Sequence, residues 1–214
     1  LEKYLVPFFK QHGFVLSNVD EFGYEISKKI DHIKYTCTCN KLKRSPGIYF
    51  EALSMGIYFE EIEDPLKELL LKYELDQTSY TLRDYNNKEA AIMRGRQISA
   101  ITIATESDFA HYSDAVKQYC NAVVFPFFDT YHRIEPLNKF IKKTPEDDLT
   151  YHIGGEFQLK KMVTLKLCND PQYLDYVEYV RQKFESIKNP DNGKYIPLLN
   201  AYHELAEKLE KGLD

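Results

Sequence analysis

The stretch Ile33-Lys34-Tyr35-Thr36-Cys37-Thr38-Cys39 alternates apolar or thiol side chains with lysine and threonine at a period of two. Neighbouring side chains on a strand point to opposite faces, so Ile33, Tyr35, Cys37 and Cys39 share one face and the polar residues share the other. Upstream, Phe22, Tyr24 and Ile26 alternate in the same way. The span from Phe14 to Phe59 therefore reads as an antiparallel meander. Within it, Ile48 to Phe59 is aromatic and β-branched on both parities, the composition of a central strand covered on both faces. Before the sheet, Glu2 to His12 carries Leu5, Phe8 and Phe9 and stops at Gly13, which predicts a short helix in which Pro7 is tolerated only near the first turn or as a kink.

Beyond the meander the period changes. Asp64-Pro65 predicts a capped helix start, with Leu66, Leu69, Leu70 and Tyr73 on one face. Asp76 to Gln97 is the least regular part, with a possible strand at Thr78 to Leu82 and a turn at Asn86-Asn87, and Ile98 to Thr105 has the composition of a buried strand. After Ser107, Phe109, Tyr112, Val116, Tyr119 and Val123 follow helical steps, and Pro126 predicts a kink or a new helix. Thr144-Pro145-Glu146-Asp147 resembles a cap, Gly154-Gly155 an interruption, and Glu156 to Leu167 a helix. Asp170-Pro171 begins a helix striped by Tyr173, Val177, Val180, Phe184 and Ile187, and Asn192-Gly193 turns the chain into a last one. That helix carries Leu198, Tyr202, Leu205 and Leu209 inward, with Glu204–Lys208 and Glu207–Lys211 pairs outside. Sheet first and helices second predicts an α+β fold: a sheet-rich subdomain over residues 1–106 and a helical one over 107–214, packed as one compact unit.

Composition narrows the function classes. A chain of 214 residues buries roughly 70% of its unfolded surface, so no metal or disulfide staple is needed for stability. The net charge of -5, with acids dispersed, argues against broad nucleic-acid or anionic-membrane binding. Apolar runs such as Ala122 to Phe128 fall far short of the roughly 20 residues that span a bilayer, so no membrane partner is expected. The four cysteines, Cys37, Cys39, Cys120 and Cys168, are too few and too irregular for a disulfide framework and point to a reducing, cytoplasmic setting. Leu1 is not a natural initiator, which leaves open a segment before it.

Each chemical motif lacks a required part. Cys37 and Cys39 share a face, but no second pair completes a zinc site, so they read as core thiols and no metal is assigned. The histidines, His12, His32, His111, His132, His152 and His203, fit no His-Glu-x-x-His spacing, and Cys120 lies within a helical apolar pattern. Gly154-Gly155 lacks the spacing of a phosphate loop, and Asp84-x-Asn86 fails as a calcium loop at Lys88 and Gly95. Glu60, Glu61, Glu63 and Asp64 read as charges complementing a helix start. Lys41, Lys43 and Arg44 read as a basic turn. Arg94 and Arg96, flanking Gly95, are the candidate binding residues, because guanidinium groups grip carboxylate or phosphate bidentately. No cofactor is assigned.

The segments Phe8-Phe9-Lys10-Gln11-His12-Gly13-Phe14 and Val124-Phe125-Pro126-Phe127-Phe128, with the helical finish, resemble bacterial hypothetical proteins of a domain-of-unknown-function family. The resemblance covers most of the chain and carries over no catalytic residue. It implies an immunity-like or accessory interaction role. Together with the 17 tyrosines, whose rings suit wet interfaces, this gives a noncatalytic protein-binding function, with another protein as partner and no oligomeric state specified. The competing expectations are a hydrolase or transferase whose site forms only in the fold, and a self-associating structural protein.

Overall fold

The structure, a computed structural model, describes residues 1–45, 47–51, 53–78, 80–83, 97–186 and 195–212. Helix α1 (Val6–Gln11) has its proline in the first turn, where the missing N–H costs nothing, and Gly13 leaves it at a left-handed φ of 78°. The meander follows as β1 (Val15–Asp20), β2 (Gly23–Ile30), β3 (Ile33–Arg44), β4 (Gly47–Phe50) and β5 (Ser54–Phe59), with a two-residue β6 (Leu82–Arg83). Strand order is β1-β2-β3-β5-β6, with β4 paired to β3. Helices α2 (Glu60–Lys72), α3 (Glu106–Tyr119), α4 (Phe125–Thr130), α5 (Ile134–Lys143), α6 (Glu146–His152), α7 (Phe157–Leu167), α8 (Tyr173–Glu185) and α9 (Tyr195–Lys211) complete the α+β architecture.

Contacts divide the chain into two compact units, each built from two segments: Leu1–Ile57 with Arg83–His132, and Tyr58–Leu82 with Arg133–Asp214. The first holds the alternating face read from the sequence. Tyr35, Cys37 and Cys39 are buried beside Tyr24 and Ile26 of β2, to which β3 pairs in continuous antiparallel register. Covering this face, α3 contributes Tyr112, stacked on Phe50 at a centroid distance of 5.0 Å, and α4 contributes Phe128, 5.1 Å from Tyr35. A π-helical turn over Cys120–Val124 separates α3 from α4, and Pro126 begins the new helix. In the second unit α7 is the hub, touching α2, α5, α8 and α9. Its Phe157, Leu159, Met162, Val163 and Leu165 point several ways round the helix and are all buried, as are Lys160 and Thr164, and none of its residues is fully exposed.

Several local expectations are corrected. Helix α2 starts at Glu60 with Pro65 inside it, because the chain enters the helix directly from β5 and the first turn is made before Asp64. Lys41 and Lys43 lie on β3, opposite Phe50 and Ile48, so the basic turn is a strand that continues through Arg44. Ile98 to Thr105 contributes one bridge, Ile103 to Ile48, since residues 97–99 are helical and Thr105 already caps α3. Thr144 closes α5 through a 2.9 Å bond to the Phe140 carbonyl instead of capping α6. Helix α8 begins only at Tyr173, because the Asp170 carboxylate accepts the Gln172 amide at 3.0 Å and holds the chain in a turn.

Candidate functional site

Four polar clusters and one open strand edge bear on function. In the second unit Glu63 and Lys160 are both buried, and Lys160 Nζ lies 2.7 Å from Glu63 Oε1. The ammonium also donates to Thr78 Oγ1 at 2.8 Å and to the Tyr80 carbonyl at 3.2 Å. The carboxylate contact is an ion pair rather than an aligned hydrogen bond, since Oε1 has no well-directed donor. Burial pushes the Glu63 carboxyl up and the Lys160 ammonium down, and the opposite charge offsets each in part. Gly154 closes this region: a Cβ there would stand 2.7 Å from the Tyr80 carbonyl oxygen. Gly154-Gly155 is thus a close-packing point rather than a simple loop break.

A second cluster joins α6 to α8. Glu146 accepts from the Tyr176 hydroxyl at 2.9 Å, the Tyr179 hydroxyl at 2.8 Å and Lys183 at 2.9 Å, while Lys161 lies over the Tyr176 ring at 4.2 Å. Burial raises the Glu146 carboxyl, but these donors outweigh it and leave the group below its ordinary value. Asp170 is held similarly by Asn138 at 2.8 Å and Lys142 at 2.7 Å.

In the first unit the Tyr24 and Tyr112 hydroxyls are 2.9 Å apart, Cys39 Sγ is 3.2 Å from the Tyr112 oxygen, and Cys39 donates to the Glu51 carbonyl at 3.3 Å. Burial lifts the Cys39 thiol to about 11 and pushes the Cys37 and Cys120 thiols well above the ordinary thiol range. A thiolate is the reactive and metal-binding form, so these three cysteines are packing groups. Among the described residues no group of three or more His, Cys, Asp or Glu is placed to hold a metal ion. The histidines sit in separate surroundings: His12 stacks on Phe125 at 4.3 Å, His132 Nδ1 lies 2.6 Å from the Asp129 carbonyl, and His152 meets the Phe140 ring edge-on.

The least satisfied surface is the edge of the sheet. β1 pairs with β2 on one side, and among the described residues no strand pairs with its other side. Val15 is 57% exposed, Val19 53% and Phe22, at the hairpin tip, 70%. The hairpin is firmly made: Asp20 Oδ1 accepts the Phe22 and Gly23 amides at 2.8 and 3.0 Å. Ser17, the bulged residue, donates to Glu25 Oε1 at 2.9 Å across the strands. A rigid, open edge carrying apolar side chains can accept a further strand through its main-chain groups.

Arg94 and Arg96 lie outside the described residues, as do Asp84, Asn86, Lys88 and Gly95. Sequence reading missed both the Glu63–Lys160 pair and the β1 edge. The signal for the first was a lysine among the apolar positions Phe157, Leu159, Met162, Val163 and Leu165 of one helix. For the second it was position, since the first strand of a meander has one neighbour. Among the described residues no helix is long and apolar enough to cross a membrane. Comparison with known protein families, curated proteins and solved structures found no match.

Proposed function

We propose that this protein is a noncatalytic, immunity-like or accessory binding protein that engages a polypeptide by strand addition along β1. The observation that carries this reading is the unpaired β1 edge with Val15, Val19 and Phe22 exposed on a hairpin pinned by Asp20 and Ser17. Main-chain hydrogen bonds would supply affinity, and the exposed apolar side chains would supply a face for alternate residues of the incoming strand. The polar clusters support the same reading, because their charges and hydroxyls are spent on one another inside the fold. A reducing cytoplasmic setting belongs with it, supported by four free thiols.

The test is site-specific photocrosslinking from Val15 and Val19 in cells that make the protein. The expected result is a discrete polypeptide adduct, lost when the crosslinker is moved to exposed Tyr151 and, for the crosslinker at Val15, weakened by Val19→Pro, which removes an outward main-chain donor from the edge. Equal adduct yields at all three positions would overturn the assignment. So would turnover of a defined substrate that is abolished by changing Lys160 or Glu146 in a protein that stays folded.

A further inference from the structure

We infer that the strand added at β1 is β1 of a second copy of this chain, running antiparallel about a two-fold axis. The inference rests on the strand-addition reading above and adds the identity of the occupant.

The edge is self-complementary in face, register and charge. Leu16 and Val19 stand opposite Ile26 and Tyr24 of β2, and so lie on the core side of the sheet; Val15, Asn18 and Asp20 stand opposite Ser27, Glu25 and Gly23 on the other side. The bulge at Ser17 is what puts Leu16 and Val19, three residues apart, on the same face. In an antiparallel pair, residues directly opposite share a face. A two-fold axis between Ser17 and Asn18 sets Leu16 against Val19 of the second copy, Val15 against its Asp20, and Ser17 against its Asn18, so every pair matches. Sliding by one residue in either direction sets core-side residues against outward ones. The matched register extends one apolar row from Ile26 through Leu16 to the second copy's Val19 and Tyr24, and covers the side of Val19 that is otherwise open.

Charge agrees with this direction. The turn end of the hairpin carries exposed Asp20 and Glu21, whereas the open end carries Lys28, whose Nζ donates to the His12 carbonyl at 3.1 Å and lies 5.6 Å from the Phe14 ring centroid. The two-fold brings Glu21 of each copy alongside Phe14 of the other, beside that ammonium, while Asp20 meets the other copy's Val15 on the opposite face of the sheet. A parallel arrangement would stack acidic end on acidic end. Bulges often blunt an edge against pairing. Here the extra residue falls at the symmetry centre, where small polar Ser17 meets Asn18, and its hydroxyl stays bonded to its own hairpin.

Sedimentation of the purified full chain over a concentration series decides the matter. The expected result is a monomer–dimer equilibrium that Val19→Lys abolishes. Glu21→Lys and Lys28→Glu should each raise the dimer dissociation constant about two- to thirtyfold, from two symmetry-related like-charge contacts. The double variant Glu21→Lys/Lys28→Glu should restore it, since only a second copy of the same chain carries the compensating change. Circular dichroism melts establish that each variant is folded. A monomer at all concentrations, a dimer indifferent to Val19→Lys, or a double variant no better than the singles would each overturn the inference. If the chain is monomeric while crosslinks from Val19 still reach a different polypeptide, the strand-addition reading stands and the second copy does not.

Discussion

At the scale of single residues, the Glu63–Lys160 pair shows why a buried charge is evidence of structure before it is evidence of chemistry. Removing both ions from water costs several kcal/mol each, and their attraction recovers this only if the remaining hydrogen-bonding capacity is used. Lys160 meets that condition through Thr78 and the Tyr80 carbonyl, so the pair fastens α7 to α2, to Thr78 and to Tyr80. Breaking it on one side is far worse than removing it. Lys160→Met leaves a carboxylate buried without compensation and should lower unfolding stability by about 3–5 kcal/mol. The double change Glu63→Leu/Lys160→Met should recover most of that loss, because well-packed apolar replacements of an ion pair are often neutral. Denaturant unfolding of the two variants checks this, and a double variant as unstable as the single one would mean that the pair is more than a fastening.

Elements were legible in proportion to how locally they are determined. The alternation through Ile33 to Cys39 follows from pleating alone, and β3 reproduces it with Tyr35, Cys37 and Cys39 all buried. The last helix was equally legible: Tyr202, Leu205 and Leu209 are buried, and the Glu204–Lys208 and Glu207–Lys211 pairs form at 3.3 and 3.9 Å. Helix α8 was read one position off, since burial selects Tyr176 rather than Val177, for a reason outside the helix: Glu146 on α6 binds the Tyr176 hydroxyl. Likewise Asp170 and Thr144 look like caps in isolation but are claimed by Asn138, Lys142 and the Phe140 carbonyl. The β1 edge could not be seen from composition at all, because Val15 and Val19 resemble core residues until strand order leaves them at the border. For α9 the consequence is quantitative. Leu205 is fully buried and the Tyr202 hydroxyl donates to the Val177 carbonyl at 2.8 Å, so the helix is docked at both faces of its contact with α8. Leu205→Ala should cost about 2–5 kcal/mol from lost transfer energy and a residual cavity. An unchanged denaturation midpoint would show that α9 is not docked in solution.

Across the whole molecule each of the two units is held together internally in its own way, and the two should differ in their stability to acid. The first is fastened mainly by stacked aromatic rings and by hydroxyl and thiol contacts such as Tyr24–Tyr112–Cys39, none of which changes charge below neutrality. The second relies on carboxylates that bridge elements: Glu146 from α6 to α8, Asp170 to Asn138 and Lys142 on α5, and Glu204 from α9 to Lys72 and Tyr73 of α2 and its end. Burial raises Glu146 and Asp170, but their donors prevail and hold both below the ordinary carboxylate range. Hydrogen bonds from Lys72 and Tyr73 draw Glu204 from 4.5 to about 2. A carboxyl with a folded-state pKa below its unfolded one makes the unfolded chain bind more protons as pH falls. Its contribution is therefore complete above the unfolded value and is lost as pH drops through the folded one. Glu204 is partly open to solvent and its share is screened, so Glu146 and Asp170 dominate. The urea midpoint should thus decline as pH is lowered from 4.5 toward 2. In a Glu146→Gln variant, which keeps the shape but not the charge, the midpoint should be lower at pH 7 and the decline shallower. A variant whose midpoint falls with pH as steeply as that of the unaltered protein would show that this carboxylate does not hold α6 to α8, and that the acid sensitivity of the second unit arises elsewhere.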